Sequence, residues 1–130
     1  MSGRRFVIDA NVAIDFADRD IFGAFASRMA APPFVRVETR SALHVAAVRN
    51  DVHDYARQLQ QRIDEADIAS LDDARQGPLA WTLADTLGWT KTYDAEYLAA
   101  AHIHGLPLAT RDKRLRSAAV RVGVGLFPLP

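Results

Sequence analysis

Apolar residues fall in two rhythms along this chain. Short unbroken runs such as Phe6-Val7-Ile8 read as strands buried on both faces, whereas apolar positions three and four apart read as helix faces. Residues 5–9 are therefore the first predicted strand. Val12, Ile14, Phe16, Ile21, Phe22 and Phe25 then set out a helix in two pieces over about residues 12–28. Pro32-Pro33 ends it and favours an extended segment at 34–37, the second predicted strand, because a proline pushes the preceding residue away from helical angles. Leu43, Ala46 and Ala47 mark a helix over 38–50. Tyr55, Leu59 and Ile63 mark another over 52–66, and the two make a helical hairpin. A short strand at 68–71 and a polar link at 72–77 follow. Pro78 suits a first helical turn, and Leu79, Leu83 and Leu87 line a helix that Gly88 stops, with Trp81 and Trp89 at its flanks. The pattern continues with a helix at 94–104 ended by Gly105, a strand at 106–110 and a last helix at 113–119. Residues 120–130 add a candidate fifth strand.

Strands separated by helices imply an α/β fold, a three-layer sandwich whose central parallel sheet of four to five strands is flanked by helices. No repeat, low-complexity tract or linker interrupts the pattern, so residues 1–130 are expected to form one domain.

Composition narrows the chemistry. Sixteen basic and sixteen acidic residues balance to a net charge of zero, which removes the overall basic footprint of a nucleic-acid binder but leaves room for a basic rim around an acidic pocket. Cysteine is absent, so disulfides, thiol catalysis and thiolate-held metals are excluded. The N-terminal residues lack a signal-peptide core and no run approaches the ~20 apolar residues of a membrane span, so a soluble cytoplasmic protein with no membrane attachment is expected.

Four acids draw the chemistry together. Asp9 ends the first strand, Asp112 follows the fourth, Asp94 opens a helix and Glu38 falls in a first helical turn. Each alone is explained as a helix cap or a first-turn acid. Jointly they would meet at the carboxyl edge of a parallel sheet, where such sheets bind ligands. Like charges gathered there repel and raise one another's pKa values unless a cation lies among them. Oxygen donors suit a hard divalent ion such as Mg²⁺. Zinc fits less well: His102 and His104 are two apart on a helix, His44 and His53 are isolated, and all four read as surface or packing residues.

Three segments also carry a family resemblance. Val7-Ile8-Asp9-Ala10-Asn11, Tyr93-Asp94-Ala95-Glu96-Tyr97-Leu98-Ala99-Ala100-Ala101 and Gly105-Leu106-Pro107-Leu108-Ala109-Thr110-Arg111-Asp112-Lys113-Arg114-Leu115 resemble the first, third and fourth acidic motifs of PIN-domain ribonucleases. Glu38 stands where that family has its second acid. Length and layout are most similar to the VapC-type toxins of toxin–antitoxin modules. The resemblance implies Mg²⁺- or Mn²⁺-dependent endonucleolytic cleavage of RNA. It makes Asp9 and Asp94 direct metal ligands, with Asp112 and Glu38 holding water around the ion or a second ion. Asn11 and Thr110 would orient the carboxylates. Arg111, Lys113 and Arg114 would contact substrate phosphates, with Arg116 and Arg40 nearby. It further implies a VapB-type antitoxin whose C-terminal segment fills the groove, and a homodimer; Trp81, Leu83 and Phe16 are apolar contact candidates for a dimer or an antitoxin.

Other readings compete. A response-regulator receiver needs a carboxylate pair after the first strand and a lysine near the last, but Ala10 follows Asp9 and the only lysines are Lys91 and Lys113. A phosphatase of the haloacid dehalogenase type needs a second Asp where Asn11 stands. A catalytically silent PIN-like module that binds RNA or protein is the remaining alternative.

Overall fold

The computed structural model describes residues 5–130; the N-terminal residues 1–4, part of the expectation of no leader, lie outside the described residues. The elements run β1 (Phe6–Ile8), α1 (Ala10–Asp18), a 3₁₀ turn (Phe22–Phe25), β2 (Met29–Ala31), α2 (Val35–Asn50), α3 (His53–Glu65), β3 (Ile68–Ser70), α4 (Gln76–Leu87), α5 (Tyr93–His104), β4 (Leu108–Ala109) and α6 (Lys113–Arg121). The strands pair in parallel in the order β3-β2-β1-β4. Among the described residues this is the expected α/β fold, a central four-stranded parallel sheet flanked by six helices. No helix among them is long and apolar enough to cross a membrane.

The second strand is not where the pattern placed it. It is Met29–Ala31, ahead of the two prolines, and residues 35–37 open α2 instead. Pro32 and Pro33 occupy the approach to a helix, where a missing N–H costs no internal bond. The Val35 amide donates to the Pro32 carbonyl and the Glu38 amide to that of Phe34. Val35, Thr39, Leu43 and Ala47, four apart, are the residues α2 buries. The candidate fifth strand reduces to one parallel bridge between Leu108 and Leu126, beside which the Phe127 amide donates to the Leu108 carbonyl.

The sheet is the centre of the core. Phe6, Val7, Ile8, Leu108 and Ala109 have no exposed surface. Phe16, a candidate interface residue, is also fully buried and stacks on Phe25, so it is core. Of the other two candidates, Leu83 is partly buried against the core while Trp81 is 69% exposed. Helices α4 and α5 meet through the small residues Ala80, Ala84, Ala95 and Ala99. Gly88 and Gly105, at φ 71° and 64°, end these two helices in the left-handed conformation that glycine adopts without penalty.

Topology fixes where a ligand could sit. The chain lays β2 and β3 to one side of β1, then returns to lay β4 on the other, so strand order reverses at β1. The pairing of Ile8 with Ala109 sets the next residues, Asp9 and Thr110, side by side at the carboxyl ends of these strands. Open α/β sheets form their binding crevice at this point.

Candidate active site

Asp9 is the most buried acid of the group, with 5% of its surface exposed. It caps α1: backbone angles of −90° and 176° are extended, and Oδ1 accepts from the Val12 amide at 2.9 Å. Its Oδ2 accepts from the Thr110 hydroxyl at 2.5 Å, a bond that follows directly from the strand register. Burial raises the Asp9 pKa, the two hydrogen bonds oppose this, and the charges of Asp94 and Asp112 add to the rise.

Asp112 caps α6 in the same manner, accepting from the Leu115 amide at 3.0 Å, and its own amide donates to Thr110 Oγ1 at 3.2 Å. Thr110 thus joins the two capping acids. Glu38, in the first turn of α2, accepts from the Tyr97 hydroxyl at 2.8 Å. Its pKa is raised by burial, countered by the Tyr97 bond and raised again by Asp94 and Asp9. The buried Tyr97 phenol is itself held well above its usual range, first by burial and then by the Glu38 charge. Asp94 lies in the first turn of α5, near the positive end of the helix, rather than capping it; the cap position is Thr92. Its Oδ2 accepts from Arg114 at 2.7 Å, and that guanidinium lies over the Trp89 ring, 4.7 Å from its centroid.

Of the four acids expected from the sequence, Asp94 and Asp112 lie within electrostatic reach of Asp9, and Asp94 and Asp9 within reach of Glu38. The Thr110 hydroxyl donates to Asp9, while Asn11 is exposed at the start of α1. The basic candidates divide. Arg114 faces the acids, Lys113 is exposed, and Arg111 instead bonds Asp15 and the Pro130 carbonyl, both at 3.1 Å. Arg116 donates to the Thr110 carbonyl at 3.0 Å. Arg40, beside Glu38 in sequence, approaches Asp64 on α3.

Sequence reasoning missed Tyr97, although its place three residues after Asp94 puts it on the same helix face. It also missed Lys91 and Trp89. With Glu38, Asp94, Tyr93 and Arg114 these line a pocket of about 470 Å³.

The donors around the crevice are carboxylate and hydroxyl oxygens, with neither thiolate nor imidazole. Among the described residues no three Asp, Glu or His side chains converge closely enough to chelate one ion. The Asp9 and Glu38 carboxyls are raised first by burial and, after their hydrogen bonds, by the neighbouring acids, while Asp94 is paired with Arg114. Such a donor set fits a hard divalent cation that keeps part of its water shell.

Fold and site define a class: a parallel α/β sheet carrying an acidic crevice at its switch point. Residues 6–121 match the PIN domain family, and the chain belongs to it. PIN domains are typically nucleases and commonly use divalent metals. No curated protein matches the sequence. Among solved structures, PAE2754 from Pyrobaculum aerophilum is similar in fold, with a TM-score of 0.73 over 88% of this chain and 86% of that one, at 22% identity.

Proposed function

We propose that this chain is a divalent-metal-dependent endoribonuclease and the toxin of a VapBC-type module. The observation that carries the nuclease reading is the placement of Asp94 and Asp112 near the buried Asp9, and of Asp9 and Asp94 near Glu38, with burial first and these neighbouring charges second raising the pKa of Asp9 and Glu38. Asp9 and Asp94 would hold Mg²⁺ or Mn²⁺, with Asp112 and Glu38 fixing water around it. When bound, such an ion makes water nucleophilic at neutral pH and offsets charge on the phosphoryl oxygens.

The chain's own residues prepare that site. Thr110 holds Asp9 in one rotamer, and the Tyr97 hydroxyl does the same for Glu38. Lys91 and Arg114, at the rim of the acidic pocket, would take the substrate's phosphates. The toxin assignment is supported by the three motif segments and their order along a short chain. On this reading a VapB-type antitoxin covers the groove and the exposed Trp81 serves a dimer or antitoxin contact.

Purified protein incubated with cellular RNA in Mg²⁺ or Mn²⁺ should produce discrete fragments, and EDTA should stop this. Asp94→Asn should lower the rate at least about a hundredfold, the scale expected when one stabilising group is lost from an active site. Induced expression should arrest growth with the wild-type chain and not with Asp94→Asn. One observation favours a second reading, a silent RNA- or protein-binding module: Arg114 already neutralises Asp94. Absence of cleavage with either metal would select that reading.

A further inference from the structure

Glu38 and Tyr93 are shared by two pockets of different character. The first, of about 470 Å³, holds Lys91 and Arg114 beside Asp94. The second, of about 510 Å³, lies between α2 and α5 and is lined by Phe34, Val37, Ser41 and Glu96 in addition to the shared pair. No cation lines it. Tyr93 stands as the wall between them, 60% exposed, with its ring 6.4 Å from that of Phe34 and tilted by 42°. Phe34 is in turn backed by Tyr97 at 5.1 Å, the residue that holds Glu38. Val37 is 62% exposed on the same side. Tyr93 and Val37 thus leave aromatic and aliphatic surface in water, directly beside the acids.

The chemistry of the two pockets is that of the two halves of a nucleotide. Cations and room for a phosphate occur on one face of Tyr93; an aromatic wall with polar groups occurs on the other. Proteins read single-stranded RNA by stacking unpaired bases on aromatic rings and bonding their edges. The polar groups here, the Glu38 and Glu96 carboxylates and the Ser41 hydroxyl, are mainly acceptors. Ionised carboxylates welcome the exocyclic amines of adenine, cytosine and guanine, and they repel the paired carbonyls of uracil, which has none.

We propose that the pocket walled by Phe34 and Tyr93 receives an unstacked base of the RNA, favouring one with an exocyclic amine, next to the phosphate held by Lys91 and Arg114. The inference rests on the ribonuclease reading and adds a base preference to it. Glu96 and Tyr93 are specificity and positioning residues in this scheme.

Fluorescein-labelled oligo(A), oligo(C) and oligo(U) of equal length, titrated with the Asp9→Asn protein in Mg²⁺ and followed by anisotropy, test it without cleavage of the probe. Oligo(A) and oligo(C) should bind about tenfold more tightly than oligo(U). Adding Tyr93→Ala should weaken all three by about tenfold, as expected for loss of a stacking ring, while Tyr93→Phe should retain binding. Glu96→Gln should narrow the margin over oligo(U). Thermal melts establish that each variant is folded. Equal affinity for the three probes, or an unchanged affinity in folded Tyr93→Ala, overturns the base pocket, and the ribonuclease reading then still stands if the wild-type chain cleaves RNA. Selective binding without cleavage by the wild-type chain upholds the pocket and removes the nuclease. Failure to bind any probe overturns the pocket, and failure to cleave as well removes both.

Discussion

Both oxygens of the Asp9 carboxylate accept a hydrogen bond, one from the helix it caps and one from the strand beside it. Thr110→Val keeps the shape of the neighbour and removes one donor from a buried carboxylate. That should cost about 1–3 kcal/mol in chemical unfolding, with Thr110→Ser losing less. The charge itself works the other way. Burial and nearby acids raise the pKa of Asp9 and of Glu38 above the unfolded value, so the folded protein holds their protons more tightly than the unfolded chain does. The stability they contribute is fully present below the usual carboxylate range and is lost as pH rises through their raised folded values. In EDTA at neutral pH, Asp9→Asn should therefore melt several degrees above the wild type, since an amide can still accept from Val12. The gap should close as pH falls below the usual carboxylate range, where the Asp9 carboxyl is protonated in the folded and unfolded chain alike. Differential scanning calorimetry across pH checks the sign. Wild-type protein should regain the difference when Mg²⁺ is added, because a bound ligand stabilises the folded state.

Individual elements explain what could be read in advance and what could not. β1 was legible because Phe6-Val7-Ile8 has no polar interruption, and α4 and α5 were bounded by glycines whose positive φ marks a helix end. β2 was hidden by composition: Met29-Ala30-Ala31 has no β-branched or aromatic residue, while Phe34-Val35-Arg36-Val37 alternates like a strand. Only the spacing of Val35, Thr39 and Leu43 reveals that those residues already belong to a helix. Of the site, Asp9, Asp94 and Asp112 announced themselves by position at strand and helix ends. Tyr97 did not, because a buried aromatic on an alanine-rich helix looks like packing until its hydroxyl is seen on Glu38. The alanines carry meaning of their own. Ala95 and Ala99 let α5 approach Ala80 and Ala84 of α4, so a larger side chain has nowhere to go. Ala99→Leu should destabilise by about 1–3 kcal/mol in denaturant titration, and should lower activity through the displaced start of α5.

At the scale of the whole molecule, the crevice joins the two ends of the chain. Asp9 and Thr110 are 101 residues apart in sequence and neighbours in space, because β4 is added to the free side of β1 only after β2 and β3 have been laid down. The C-terminal segment secures that last addition. Phe127 stacks on Phe6 with ring centroids 3.8 Å apart, and the Leu108 amide donates to the Gly125 carbonyl at 2.8 Å. Phe127→Ala should lower stability by at least about 1 kcal/mol in thermal unfolding. Cleavage measured well below the melting temperature should survive, since Phe127 lines neither pocket beside the acids.

Asp9 and Asp112 each cap a helix as well as furnish an acid, and that double duty shapes how the proposed activity would be lost by mutation. An alanine at either position forfeits a helix terminus along with the charge and invites degradation. An asparagine removes the charge but keeps one side-chain oxygen to accept from the helix amide, and so preserves the cap. Selection for inactive yet abundant protein should therefore return Asn at residues 9 and 112 far more often than Ala, while at Asp94, which caps nothing, it should tolerate a wider set.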